Sequence, residues 1–354
     1  MTEGFEGRLA QLSFIAFCAK LLLPTRRTAM ASAPTEAVST QADLMPPRIL
    51  PTENPRRAAR WFGALAIAVL AAGCHAGNKE AKGLRDSCQA GDIAACNKFA
   101  GKLQKGEYVL RDDARAAVLF EQTCAGGVGD GCASLGVMLQ RGRGVKRDSA
   151  RAVTLFQQGC ERGAMDGCTR LGVLYRQGAG VTRDLVRAVA LFQKSCDGGD
   201  VTGCSHLGMA YAAGDGIAKN IERAASLFQK ACGDKVALGC VGLGRLHAAG
   251  TGVVKNDSIA AELFEKACES SETTGCVQLG VANETGRGVT LNLTHAAELY
   301  RNACDDRNGE ACARAAGMYD RGSGVYRNPD RAAGYRRRAC EYGHTESCPA
   351  RKGS

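Results

Sequence analysis

Cysteine is the residue type whose spacing could do chemistry in this chain. Cys88, Cys124, Cys160, Cys196, Cys232, Cys268, Cys304 and Cys340 stand 36 residues apart, and each is followed eight positions later by another cysteine, from Cys96 to Cys348. Sixteen of the 18 cysteines fall into this ladder, so pairing or metal ligation must explain nearly all of them. The seven-residue gap is not a usual zinc spacing, no C-x-x-C occurs, and no histidine repeats in phase. Eight residues of continuous helix rise about 12 Å, whereas bridged Cα atoms lie roughly 4.4–6.8 Å apart. A bridge therefore requires the chain to reverse between the two cysteines, and segments such as Asp197-Gly198-Gly199-Asp200 have the composition for that. The expected bridges are Cys88–Cys96, Cys124–Cys132, Cys160–Cys168, Cys196–Cys204, Cys232–Cys240, Cys268–Cys276, Cys304–Cys312 and Cys340–Cys348. Each would join the second helix of one unit to the first helix of the next, contributing roughly 2–3 kcal/mol in the loop-entropy model. Persistent bridges need an oxidising compartment.

Other catalytic patterns are missing from the sequence. S-x-x-K, K-T-G, H-E-x-x-H and a P-loop do not occur, and His75, His206, His247, His295 and His344 are scattered. No catalytic residue, metal or cofactor is expected from these patterns. Formal net charge is +10; residues 1–73 hold 8 basic and 5 acidic groups, leaving about +7 for the remainder. That excess favours acidic partners or anionic surfaces without singling out nucleic acid.

A 36-residue period means stacked supersecondary units. In the unit 203–232, Cys204, Leu207, Gly208 and Tyr211 share one helical face. A small residue recurs four positions after each second cysteine: Ala100, Gly136, Gly172, Gly208, Gly244, Gly280 and Ala316. Glycine inside a helix costs about 1 kcal/mol, so its fixed phase predicts a close backbone approach. Gly106, Gly142, Gly178, Gly214, Gly250, Gly286 and Gly322 then stop the first helix. Asp112, Asp148, Asp184, Asn220, Asn256, Asn292 and Asn328 are placed to cap the second. That helix carries Ala, then Leu and Phe, as in Ala188, Leu191 and Phe192; the last unit has Tyr335 and Arg336 instead. The G-x-G-V connectors read as caps between helices rather than as an anion cradle. The Asp112/Arg115, Asp148/Arg151 and Asp184/Arg187 pairs read as local cap-and-pair contacts.

Leu171-Gly172-x-x-Tyr175 followed by Ala188-x-x-x-Phe192 resembles the tetratricopeptide helix pair. The 36-residue period and the G-x-G-V connector resemble the Sel-1-like repeat (SLR) more closely, and the added C-x7-C resembles its Hcp-type cysteine-rich subfamily. The resemblance covers about residues 80–348. It implies an all-α, right-handed solenoid of antiparallel helix pairs with a concave binding surface lined by the first helices. On that face the second, fifth and ninth residues after the second cysteine vary. They nominate Lys98, Lys105, Arg141, Arg170, Gln177, His206, Arg245, Gln278 and Arg321 as partner-facing, against the alternative of a solvated face.

Upstream, Arg56-Arg57-Ala58-Ala59-Arg60 and the apolar run WFGALAIAVLAA resemble an export signal. The run ends in Leu70-Ala71-Ala72-Gly73-Cys74, which resembles a bacterial lipobox with Leu one place early and makes Cys74 a lipidation candidate. The expected organisation is an N-terminal extension or misassigned start over 1–44, a signal over 45–73, a lipid tether over 74–87, a solenoid over 88–348 and a tail over 349–354. Its repeats run approximately 92–127, 128–163, 164–199, 200–235, 236–271, 272–307 and 308–343. The expected function is that of a monomeric, lipid-anchored scaffold binding a protein or peptide in the bacterial envelope, periplasmic or outer-membrane, or else secreted. Membrane contact would run through Cys74, with no nucleic-acid partner. The alternative is a penicillin-binding or β-lactam-hydrolysing protein, implied by the subfamily resemblance alone.

Overall fold

The computed structural model describes residues 77–348. Among them are fifteen α-helices, a short 3-10 turn at Thr345–Ser347 and no strand. Helix α1 covers 77–89. Seven first helices follow: α2 Ile93–Lys105, α4 Gly129–Arg141, α6 Met165–Gln177, α8 Val201–Ala213, α10 Ala237–Ala249, α12 Thr273–Thr285 and α14 Gly309–Arg321. They alternate with seven second helices: α3 Asp113–Ala125, α5 Ser149–Glu161, α7 Leu185–Asp197, α9 Ile221–Gly233, α11 Asp257–Glu269, α13 Leu293–Asp305 and α15 Pro329–Glu341. Each first helix packs on its own second helix, and each second helix packs on the next first helix. First helices of neighbouring repeats also touch from α4 through α12, while second helices do not approach one another to the same degree. The first helices therefore form the tighter, inner side of the stack.

Capping chemistry sets these boundaries. Asp112, Asp148 and Asp184 accept the amide hydrogens of Arg115, Arg151 and Arg187 at 2.9 Å, and the asparagines at Asn220, Asn256, Asn292 and Asn328 do the same for their helices. The cap is thus to backbone. Of the three arginine side chains, only that of Arg187 returns to its capping aspartate, at 3.8 Å. Arg115 lies over Phe99, and Arg151 reaches Glu121. First helices end on left-handed glycines, for instance Gly178 at φ 70°. The second connector glycine has a different role: a Cβ on Gly144, Gly216, Gly288 or Gly324 would overlap the first-turn backbone of the preceding repeat's second helix. This is where one repeat rests on the last.

The mid-helix glycines correct one expectation. What approaches them most closely is an aromatic ring from the second helix, with a backbone carbonyl, that of Ala188, close behind it at Gly172. A Cβ would lie 2.7 Å from Phe156 at Gly136, 2.6 Å from Phe192 at Gly172 and 2.8 Å from Phe228 at Gly208. Those rings, with Phe120, Phe264 and Tyr300, are at most 4% exposed and form the core of the stack.

All eight bridges form, with Cα atoms 4.5–4.8 Å apart. Seven of them join a second-type helix to the following first helix. Cys340–Cys348 instead ties α15 to the 3-10 turn. The tether expected over 74–87 also needs correction, because residues 77–87 belong to α1. Ala81 there is 1% exposed, and Leu84 packs on the core. This helix is a half repeat covering the first full one, and the ring of Tyr108 fills the space over Gly77. The segments 1–44 and 45–73, Cys74 and the tail 349–354 lie outside the described residues.

Candidate functional site

The inner side is built from a repeated contact. At Phe192, Phe228 and Tyr300 the aromatic ring of a second helix meets two first helices, and residues from both can cover its tip. Over Phe192 these are Arg176, eight residues after its second cysteine, and His206, two residues after the next one. His206 stacks on the ring at 5.0 Å between centroids, and the Arg176 guanidinium sits 6.0 Å from the centroid. Over Tyr300 the same places hold Glu284 and Arg314. The Tyr300 hydroxyl donates to Glu284 Oε2 at 2.9 Å, and Arg314 lies 5.8 Å from the ring centroid. Over Phe228 the second place is Gly242, where a Cβ would stand 2.6 Å from the ring. In the terminal unit Arg336 replaces the aromatic and pairs with Asp320.

The electrostatics differ between these places. Burial, aided by the neighbouring Arg176 charge and opposed by Asp200, lowers the His206 pKa to about 4. Burial also lowers the pKa of Arg176, against the pull of Asp215. At the other end, burial and the bond to Glu284 push the Tyr300 hydroxyl up. Glu284 also accepts from Arg321 at 3.1 Å, and Arg314 pairs with Glu310 at 3.0 Å. Together with Gly317 and His344 these residues line a recess of about 480 Å³.

The nine nominated residues do not converge on one point. Lys98, Lys105, Arg141, Gln177 and Arg245 are exposed along four first helices, with Lys105 3.7 Å from Glu107. Arg170 is half-buried and held by Asp166 at 2.7 Å, and Gln278 is half-buried. Arg321 joins the recess and His206 covers Phe192. Arg176, Glu284 and Arg314 were missed. The eighth position after the second cysteine carried a usable signal, because Gln104, Gln140, Arg176, Ala212, Ala248, Glu284 and Asp320 vary as freely as the positions nominated.

Among the described residues the half-buried Ser347 hydroxyl lies 2.9 Å from His344 Nδ1, but no carboxylate is hydrogen-bonded to that ring to orient it as a base. Ser195 hydrogen-bonds Asp200 at 3.1 Å, but it is fully buried, and its hydroxyl also lies 3.0 Å from the Met165 carbonyl and 2.6 Å from Thr169. That cluster fastens α6, α7 and α8 together. Among the described residues no group of three or more His, Cys, Asp or Glu side chains is placed to hold a metal ion, and no helix is long and apolar enough to cross a membrane.

Sel1 repeats match residues 94–128, 129–163, 166–200, 202–233, 237–271, 274–308 and 309–344. The chain belongs to the Sel1-repeat family. Among solved structures it is similar to c5321, a protective antigen of uropathogenic Escherichia coli with an SLR fold, at 25% identity and a TM-score of 0.52. That match covers 75% of this chain and 57% of c5321, so this chain spans little more than half of that relative. A Sel1 repeat protein from Oxalobacter formigenes matches at 19% identity and a TM-score of 0.58, over 69% of this chain and 96% of its own. Cysteine rich protein B of Helicobacter pylori matches at 30% identity over 34% of this chain and 87% of its own, with a TM-score of 0.29. Comparison with curated proteins gave no match. The fold is a scaffold suited to protein–protein contact, and eight disulfides suit an oxidising, exported setting.

Proposed function

We propose that this chain is an exported, lipid-anchored SLR scaffold of the Hcp-like cysteine-rich type, which holds a protein or peptide partner against the inner side of its first helices in the cell envelope. The observation that carries the reading is the division of labour within each repeat. Positions facing the second helix are nearly invariant from unit to unit, while those covering the inner side change from Lys and Arg to His, Ala, Gly and Glu. A packing requirement alone would not vary along the stack in this way. A partner with its own sequence of side chains would.

Anchoring rests on the lipobox-like sequence before Cys74 and on the disulfide ladder, which requires oxidation. Cys74 stands three positions before Gly77, the first described residue of α1, a reach of at most about 10 Å. An acylated Cys74 would hold the solenoid directly at the bilayer surface. Metabolic labelling with a tagged fatty acid tests this: wild type should carry label and Cys74→Ser should not, while equal labelling would remove the anchor. The binding face is tested by affinity capture with Lys98, Lys105, Arg141, Gln177 and Arg245 changed together to Ser. Loss of a partner supports the reading, and unchanged recovery contradicts it. The β-lactam alternative gains no support from any observed geometry.

A further inference from the structure

The inner side carries one cationic place that the protein itself leaves unbalanced. The other half-buried arginines of the first helices, Arg170 and Arg314, each have a carboxylate within 4.0 Å. Arg176 is equally half-buried and has no carboxylate at that distance among the described residues; Asp215, whose charge acts on it, is farther away. Burying a guanidinium without a paired charge is unfavourable. Its neighbour His206 is also incompletely satisfied, since the buried Nδ1 has no hydrogen-bond partner.

Two neighbouring carboxylates are committed elsewhere, and Asp215 makes no ion pair with Arg176 within 4.0 Å. Asp200 Oδ2 accepts from Thr169 at 2.6 Å and from Ser195 at 3.1 Å, while Oδ1 accepts the Thr202 amide at 2.9 Å. Asp166 is held by Arg170. Nothing comparable occurs at Tyr300, where Glu284, Arg314, Arg321 and Glu310 balance one another. The window at Tyr300 is therefore balanced, whereas the one at Phe192 holds no carboxylate bonded to its arginine.

We infer that Arg176 and His206, set over Phe192 between α6 and α8, form the seat for a carboxylate of the bound partner. The inference rests on the inner side being the binding face and names the chemistry recognised there. A carboxylate laid on the pair accepts from the Arg176 guanidinium in a charge-assisted bond. It also favours a protonated His206. Phe192 beneath keeps water from one side and fixes the height of both groups.

Three short N-acetylated peptides distinguish the sources of the carboxylate: tetraalanine with a free C-terminus, tetraalanine amide, and Ala-Ala-Glu-Ala-Ala amide. Each is titrated into the oxidised soluble domain beginning after Cys74 and followed by NMR at the His206 ring and the Arg176 side chain. At least one carboxylate peptide is expected to shift both, and the neutral amide to shift neither; whichever acts identifies a chain end or an acidic side chain as the ligand. Arg176→Gln should weaken that binding about tenfold, with Lys266→Gln, exposed on second helix α11, as a control that leaves it unchanged. Unperturbed backbone spectra would establish that the variants are folded, and His206→Gln gives a second route if Arg176→Gln is not. Equal shifts from the neutral peptide, no shift from either carboxylate peptide, or binding indifferent to both substitutions would overturn the seat. Partner capture lost through the five-residue Ser variant would, in that event, still leave the broader binding face standing.

Discussion

His206 stacks on Phe192 across a repeat boundary, with ring centroids 5.0 Å apart and planes inclined by 25°. The aromatic belongs to α7 and the imidazole to α8, so the contact joins the core of one unit to the inner surface of the next. It makes a side chain on the candidate binding face part of the packing between repeats. Binding and repeat-to-repeat stability are therefore coupled at this point.

That coupling gives a pH dependence. His206 takes up a proton near 6.5 in the unfolded chain and only near 4 in the folded protein, because burial and Arg176 oppose its charge. Unfolding therefore binds a proton between those values, and stability falls as pH drops from 6.5 towards 4. The loss is on the order of 2 kcal/mol, allowing for partial exposure. Urea unfolding at pH 7 and pH 4.5 should show a smaller decline for His206→Gln than for wild type. Identical declines would rule out His206 as the source.

The aromatic slots predict a second effect. Gly172→Val would place methyl groups against Phe192, which is fully buried and cannot move aside, and close to the Ala188 carbonyl. Overpacking of this kind costs about 1–3 kcal/mol. Hydrogen exchange should locate the loss in α6 and α7. A variant as stable as wild type would mean that the slot is looser than the geometry indicates.

The bridges predict a local rather than a global dependence. Replacing Cys196 and Cys204 together with Ser should lower stability by roughly 2–3 kcal/mol, with faster amide exchange centred on the turn between α7 and α8. Contacts between the two helices persist without the bridge, so the stack should remain helical by circular dichroism. Global loss of helix would show that the ladder is required for folding and not only for fastening.

Much of this architecture was legible because the repeat reports on itself: Gly142 and Gly178, or Asp148 and Asp184, recur at one phase and so declare a cap rather than a site. The turn between cysteines followed from helix geometry alone. The windows between first helices were not legible, because Arg176 and His206 meet over Phe192 only after two chain reversals. No local periodicity joins them. Helix α1 was missed for a related reason. It has Leu84 where later units have Phe, so only Cys88, standing in the ladder's phase, marked it as the second half of a repeat.

The central claim is that the inner side of the first helices meets the partner. A photoreactive amino acid placed in cells at Gln177 or Arg245, both exposed on first helices, and at Gln193, exposed on second helix α7, tests it most directly. The account predicts a discrete crosslinked product from Gln177 and Arg245 and none from Gln193. Crosslinking from Gln193 alone, or equally from all three, would contradict it.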